Sequence, residues 1–326
     1  MVTHPLWEPG VRAVVERAAS GHRGRPWSAT GFTDLDERAS HRCGILHGTP
    51  FSVFAKLDGS TGGADRFGVE LRGHRLLRER GGVRTPLPVG PGTADSPAGT
   101  LLLLEALPEV PAQRRTPEQW RAIGRTLAIL HSARGDRFGL AEFDGYFGPL
   151  AQDNRPTDTR WAGFYAQRRL LPRLRDAVAS GNLPAELATG VERLAADLPR
   201  WCGPEPIPSL LHGDAQQNNF LTTADTAYLL DTGPYYGHPE LDLALLDYFA
   251  PVPETVFDGY REVLPIDPGF AQRRELWRLH GYLAVVAVDG TSAFGRPFLA
   301  RIAATLARYP LGDHGARVVT RRRTRP

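Results

Sequence analysis

Lysine is nearly absent from this 326-residue chain. Of 39 basic residues one is lysine, Lys56, and every other is arginine. An ammonium is a compact point charge, whereas a guanidinium is a wide planar fork. A chain that uses arginine everywhere else and keeps lysine once marks position 56 as needing the compact ion. Cysteine is scarce too. Cys43 and Cys202 stand alone, which excludes a disulfide framework and a metal-spaced pair and leaves two reduced, structural thiols. No apolar run approaches the ~20 residues that cross a bilayer. The start, Met1-Val2-Thr3-His4-Pro5-Leu6-Trp7, lacks the basic and apolar segments of a signal peptide, so a cytoplasmic protein is expected. A basic body is lacking as well. The net charge is +3, but Arg317, Arg321, Arg322, Arg323 and Arg325 carry five positive charges in the last ten residues. The remainder is therefore slightly acidic, without the footprint that nucleic acid requires. Residues 317–326 read as a disordered, solvated tail.

What is present is an ordinary globular composition, 41% apolar and 23% charged. The length allows two lobes or domains. The stretch that organises the rest is Leu210-Leu211-His212-Gly213-Asp214-Ala215-Gln216-Gln217-Asn218-Asn219-Phe220-Leu221, followed by Leu229-Leu230-Asp231. Apolar strands flank a polar loop, and Thr222–Thr226 supply the next turn. In-line phosphoryl transfer needs a carboxylate to orient the attacking hydroxyl, and oxygen ligands for Mg²⁺ from an amide and a second carboxylate. Mg²⁺ keeps waters and nucleotide phosphates as further ligands, so few protein ligands suffice. Asp214, Asn219 and Asp231 meet that need in the right order.

Upstream, Glu8–Ser20 carries a helical stripe that Gly21 and Gly24 end. Residues 29–35, 39–46 and 51–57 read as three strands in hairpin succession. Lys56 lies on the third. A kinase-like fold puts there a lysine for nucleotide phosphates, held by a glutamate of the next helix. That helix is Ala64–Arg80, and Glu70 lies on it, as an exposed acid or as the lysine's partner. The loop Asp34–Ser40 is the candidate cover for the phosphates. It has no glycine, its contacts would be backbone amides and Ser40, and its acids sit awkwardly near phosphate. Pro86–Pro97 reads as loop. Leu101–Leu104 is a buried strand leading into Glu105-Ala106-Leu107-Pro108, where lobes would join and main-chain groups of Glu105 and Leu107 would meet a nucleobase.

From Pro117 the chain is helical. Thr116 and Gln119 form a capping box. His131 lies on the apolar face and reads as a satisfied core histidine. After a loop at Tyr146–Asn154 comes a helix with Trp161 and Phe164, rings that could stack on a sugar or simply fill the core. Residues 183–198, 241–249, 253–263, 272–288 and 296–309 complete a helical half.

His-Gly-Asp-x-x-x-x-Asn is shared by aminoglycoside phosphotransferases, choline kinases and their relatives. The following Asp231-Thr232-Gly233-Pro234-Tyr235-Tyr236-Gly237-His238-Pro239-Glu240-Leu241-Asp242-Leu243-Ala244 is narrower. It resembles the fructosamine kinase family, whose members carry Asp-Pro-Ala-x-Tyr-Tyr-Gly-His-Arg-Glu-x-Asp-Leu-Ala there. Gly-Pro-x-x-Gln-x-Asn at 148–154 and Trp-x-x-Phe-x-x-x-Arg-Arg-Leu at 161–170 extend the likeness, which covers Phe51–Phe249. The chain departs at Thr232, at Pro239 and at Ala215-Gln216-Gln217-Asn218, where the family carries Leu-Trp-Ser-Gly.

The resemblance implies an α+β, two-lobed protein-kinase-like fold. A small antiparallel-sheet lobe would span 1–106 and a large, mainly helical lobe 107–316. It implies a kinase that uses ATP and Mg²⁺ to phosphorylate a sugar hydroxyl of ketoamines, fructosamines or ribulosamines, in deglycation repair. Asp214 would be the base, Asn219 and Asp231 the metal ligands, Lys56 and Glu70 the phosphate-binding pair. Substrate contacts would come from His212, Tyr235, Tyr236, His238, Glu240 and Trp161, although His238 and Glu240 could equally cap the helix that follows. An aminoglycoside or other amino-sugar phosphotransferase is the alternative. Arg168, Arg169, Arg173 and Arg175 speak against its polycationic substrates. A non-catalytic nucleotide-binding scaffold would be expected to have lost Lys56, Asp214 or Asp231. The partner is a small molecule, with neither nucleic acid nor membrane, and the sequence is silent on oligomeric state.

Overall fold

The computed structural model describes residues 4–38, 41–157, 160–224 and 226–310. The tail and Ser40 lie outside them. Helix α1 (Pro9–Arg23) runs past Gly21 and ends at Gly24 in the left-handed conformation. Strands β1 (Gly31–Asp34), β2 (Arg42–His47) and β3 (Val53–Asp58) precede helix α2 (Gly63–Gly81), and β4 (Pro88–Ser96) and β5 (Gly99–Glu105) follow it. They form one antiparallel sheet in the order β1-β2-β3-β5-β4.

Both faces of this sheet are covered. Val53, Ala55, Leu57, Leu101 and Leu103 pack with Val11, Val14 and Val15 of α1. Side chains alternate along a strand, so Leu102 and Leu104 face the other way and pack with Phe67 of α2, with Phe54 against them. Lys56 has the parity of Phe54 and is thereby aimed at α2. The continuous run Leu101–Leu104 follows from cover on both sides.

The expected loop at 86–97 is strand β4. Proline and glycine hid it because β4 is an edge strand, which tolerates both. Its register shifts between Pro88 and Thr93, and Gly90 and Gly92 take positive φ there.

The larger part is helical. Helix α3 (Pro117–His131) begins with the expected capping box, Gln119 N–H to Thr116 Oγ1 and Thr116 N–H to Gln119 Oε1. A hairpin of β6 (Gly145–Phe147) and β7 (Leu150–Gln152) follows. The expected helix from Trp161 has three parts, α4 (Trp161–Tyr165), a π-turn (Ala166–Leu170) and α5 (Leu171–Ala179). The π-turn lies just before Pro172, which has no N–H to continue an ordinary ladder. Helices α6 (Ala185–Ala196) and α7 (Leu198–Trp201) lead to the short strands β8 (Ser209–Leu210), β9 (Phe220–Thr222), β10 (Ala227–Leu229) and β11 (Tyr236–Gly237). Helices α8 (Pro239–Leu245), α9 (Thr255–Arg261), α10 (Phe270–Asp289) and α11 (Arg296–Arg308) close the fold.

Strands β9 and β10 make a hairpin, and β8 pairs with β11. One large core joins α3, α4, α5, α8 and α10 and takes in Leu76 and Leu77 from the end of α2. Helix α2 is also tied to the 142–146 segment by three arginines. Arg80 pairs with Glu142 at 2.6 Å, Arg72 lies over the Phe143 ring and Arg66 over Tyr146. Among the described residues no helix is long and apolar enough to cross a membrane.

Candidate active site

The strand parity of β3 and the first half of α2 create the site's centre. Lys56 Nζ donates to Glu70 Oε1 at 2.9 Å and also to the Asp231 carboxylate. Glu70 is therefore the lysine's partner. Burial alone would lower the Lys56 pKa, but Asp231 and then Glu70 raise it above the usual range. Burial pushes the Glu70 carboxyl upward, whereas at Asp231 the neighbouring ammonium outweighs burial and holds the carboxyl down. The Asp231 side chain is 44% exposed, so it opens onto the cleft. Its φ of 50° puts a non-glycine residue in left-handed backbone. Such local strain collects at functional sites.

The polar loop after β8 is held from beneath. Asp242 of α8 is fully buried, and its oxygens accept from the N–H groups of His212 (2.6 Å) and Gly213 (3.1 Å) and from His131 Nε2 (3.0 Å). His131 is the satisfied core histidine expected, its other nitrogen bonded to Tyr260 at 2.9 Å. Gly213 has φ 85°, and a Cβ there would lie 2.0 Å from Gly233 O, so glycine alone fits. His212 Nδ1 accepts from Asp214 N–H at 3.2 Å. His212 thus shapes the loop and is itself fully buried.

Asp214 Oδ2 accepts from Gln216 Nε2 and from Asn219 Nδ2, each at 3.2 Å. Asn219 Nδ2 also donates to Asp214 O at 2.8 Å. Burial pushes the Asp214 carboxyl up to about 7, opposed most by Gln216.

Two cavities meet here. One, about 420 Å³, is lined by Arg66, Tyr146, Asp214 and Gln216. The other, about 410 Å³, is lined by Ile45, Leu104, Glu105, Leu107, Phe220 and Leu230. Lys56, Glu70, Asn218, Asn219 and Asp231 line both, whereas Asp214 lines only the first. The four side chains expected to converge, Lys56, Asp214, Asn219 and Asp231, border one cleft.

A family model described as fructosamine kinase matches residues 12–308. The chain belongs to the fructosamine kinase family. A "Probable ketoamine kinase" of Synechocystis is 34% identical over 223 residues, 67% of this chain and 71% of that one. The solved "putative fructosamine-3-kinase" of Thermobifida fusca is 29% identical, with a TM-score of 0.75 over 90% of this chain and 98% of its own. A thermostable mutant of aminoglycoside phosphotransferase APH(4)-Ia is 17% identical, with a TM-score of 0.62 over 90% and 98% of the two chains. At that identity it shows a shared kinase-like fold.

Within this fructosamine kinase family member, the expected substrate contacts do not reach either cavity, His212 included. Trp161 is 1% exposed and packs among Phe138, Phe164 and Trp277. Tyr235 lies beneath Arg169, whose guanidinium is 3.7 Å from the ring centre. Tyr236 belongs to β11, its ring beside Gly135. His238 caps α8 through its Nδ1, which accepts from Glu240 N–H at 3.2 Å. Burial first, then Arg273, lowers its pKa to about 3. Glu240 is buried against Arg273 and accepts from Trp277 Nε1 at 2.7 Å. Capping and core packing account for these residues.

The arginine argument against polycationic acceptors also falls. Arg168 pairs with Asp153, and Arg169 holds Asp153 O and Asn154 Oδ1. Arg173 holds Ala151 O, and Arg175 is exposed on α5. None lines the cleft. In the loop after β1, Asp36 turns away from the cleft to His4, Arg42 and Cys43 N–H. That removes Asp36 from the loop's acids near the cleft, whereas Glu37 lines the first cavity. Sequence reading missed Arg66, Tyr146 and Gln216 as cleft residues. The spacing of Arg66, one turn before Glu70 on the same helix face, was the available signal.

Proposed function

We propose that this protein transfers a phosphoryl group from ATP, with Mg²⁺ as cofactor, to a sugar hydroxyl of a ketoamine. One observation carries the reading: a largely apolar cavity and one of mixed, more polar lining abut at Lys56, Asn219 and Asp231, and Asp214 stands on the more polar side alone. A nucleotide in the first and an acceptor in the second would meet in line. Ketoamine kinases among its relatives favour that acceptor class.

Each residue has a distinct task in this reading. Ile45, Leu104, Phe220 and Leu230 enclose the base, with main-chain groups of Glu105 and Leu107 at its edge. Lys56, held by Glu70, presents its ammonium to the phosphates. The Asn219 amide nitrogen is engaged by Asp214, which leaves its Oδ1 as a hard oxygen donor beside the Asp231 carboxylate. That pair fits Mg²⁺, which when bound neutralises phosphate charge. Asp214 accepts a hydrogen bond from the acceptor hydroxyl and takes its proton as the new O–P bond forms. The bond from the γ-phosphorus to the bridging oxygen breaks, and ADP leaves. Phosphorylation of the sugar labilises the adduct and frees the amine, which makes the reaction a deglycation repair. We assign nucleotide binding to the lobe up to residue 106 and acceptor binding to 107–316.

The test is ATP turnover against a panel of fructose-amines, ribulose-amines and aminoglycosides. Turnover with ketoamines is expected. Turnover with aminoglycosides alone would move the protein to the alternative class. Asp214→Asn should lose at least about a hundredfold in turnover, the low end for a positioned general base, while nucleotide still binds. Full activity in that variant would reject Asp214 as the base.

A further inference from the structure

A carboxylate has two equivalent oxygens, and for Asp214 the protein engages one. Both side-chain donors, Gln216 Nε2 and Asn219 Nδ2, reach Oδ2 at 3.2 Å. Among the described residues no hydrogen bond is drawn to Oδ1. Two donors converging on one oxygen fix rotation about the Cβ–Cγ bond, and with it the direction of the other oxygen. We propose that Gln216 is the positioning residue of the base, pinning Asp214 Oδ2 so that Oδ1 faces the acceptor. The inference rests on the reading of Asp214 as base.

Three observations support it. Asn219 is already tied to Asp214 O at 2.8 Å, so it cannot follow the carboxylate if that group turns. Gln216 also precedes the 3-10 turn Gln217–Asn219 as its N-cap, yet its side chain makes no capping hydrogen bond and turns back to Asp214 instead. Finally, Gln216 lines the acceptor-side cavity and not the nucleotide cavity, so its influence falls on the half of the cleft where the hydroxyl must be met.

The test compares Gln216→Met, which keeps length and shape without a donor, with Gln216→Ala. Steady-state kinetics are measured with whichever acceptor of the panel the wild type turns over, and Asp214→Asn serves as reference. Both Gln216 variants should lose about tenfold in kcat, the effect of about 1.4 kcal/mol at the barrier. KM for ATP and the melting temperature should not change. A Met variant with wild-type kcat beside an impaired Ala variant would mean packing and overturn the proposal. A rise in acceptor KM at constant kcat would make Gln216 a substrate contact and overturn it as well. Should Asp214→Asn remain active, the base reading itself fails. Should it be dead while Gln216→Met is fully active, only the present inference fails.

Discussion

Position 56 requires a compact cation because two carboxylates close on it from different elements. Glu70 of α2 and Asp231 of the β10–β11 connection both hold Lys56 Nζ, and the side chain is 8% exposed. A guanidinium in that slot would be too wide to keep both partners, and its charge would sit on a planar fork that cannot rotate its donors toward phosphate. Lys56→Arg should therefore fold but lose about a hundredfold in kcat, of the order seen when a preorganised donor is removed. Circular dichroism checks the fold, and coupled ATP turnover checks the rate. Near-wild-type turnover would show that charge alone suffices there. This residue was legible in the sequence because its chemistry demands one side-chain type. Asp214, Asn219 and Asp231 were legible as a group, and the structure brings them to the same cleft. Tyr235 was read as a substrate contact, and His238 and Glu240 were left open between contact and capping, for the opposite reason; at His238 the structure shows the cap. All three adjoin Asp231 along the chain, but beyond Pro234 the backbone enters β11 and the buried start of α8. No linear pattern announces an arginine stacked on a tyrosine inside a core, as Arg169 is on Tyr235.

At the scale of elements, α8 acts as the pedestal of the polar loop. Its Asp242 collects two main-chain N–H groups and the His131 ring, all without exposure to water. The sequence placed Asp242 within a family motif without assigning it a task, since its partners lie about 30 and 111 residues away along the chain. Asp242→Ala would strand three buried donors, each costly to leave unpaired. The expected loss is about 3 kcal/mol or more, of the size reported for breaking a buried charged network. Thermal denaturation would register it as a clear drop in melting temperature. A variant that melts like the wild type would remove Asp242 from its supporting role. Other elements were legible where period and punctuation agreed, as in β3, α2 and the capped start of α3. Strand β4 was not, because edge position overrode the loop signal of its prolines and glycines. The π-turn in the 161–179 helix was not either, since it answers a backbone clash and not a pattern of side chains.

For the whole molecule, the burial that builds the site also sets its response to acid. His74, His238 and His280 are each buried, and burial, the leading cause in all three, lowers each pKa to about 3. In the unfolded chain they would titrate near 6.5. Below that pH the unfolded state binds protons that the folded state refuses, so each histidine lowers stability by up to about 1.4 kcal/mol per pH unit. Two acids act in the opposite sense. Glu70 and Asp214 are both raised by burial, to about 7, so the folded state accepts protons there before the unfolded state does. That gain accrues as pH falls from about 7 toward their ordinary values near 4. Over this window the two acids offset part of the histidine slope, to which His41 and His212, also lowered by burial, add, and a net decline remains. Below pH 4 the acids have nothing more to add. Against burial, Asp36 is held down to about 2 by hydrogen bonds from His4, Arg42 and the Cys43 N–H, and Asp231 to about 2 by Lys56; both then begin to lose their own contribution. Melting temperature should decline gently from pH 6.5 to about 4.5 and then break steeply. His74→Leu should flatten the gentle limb. A slope as steep as all the lowered histidines acting unopposed would mean that Glu70 and Asp214 stay ionised in the folded protein, and the electrostatic account of the cleft would have to be redrawn.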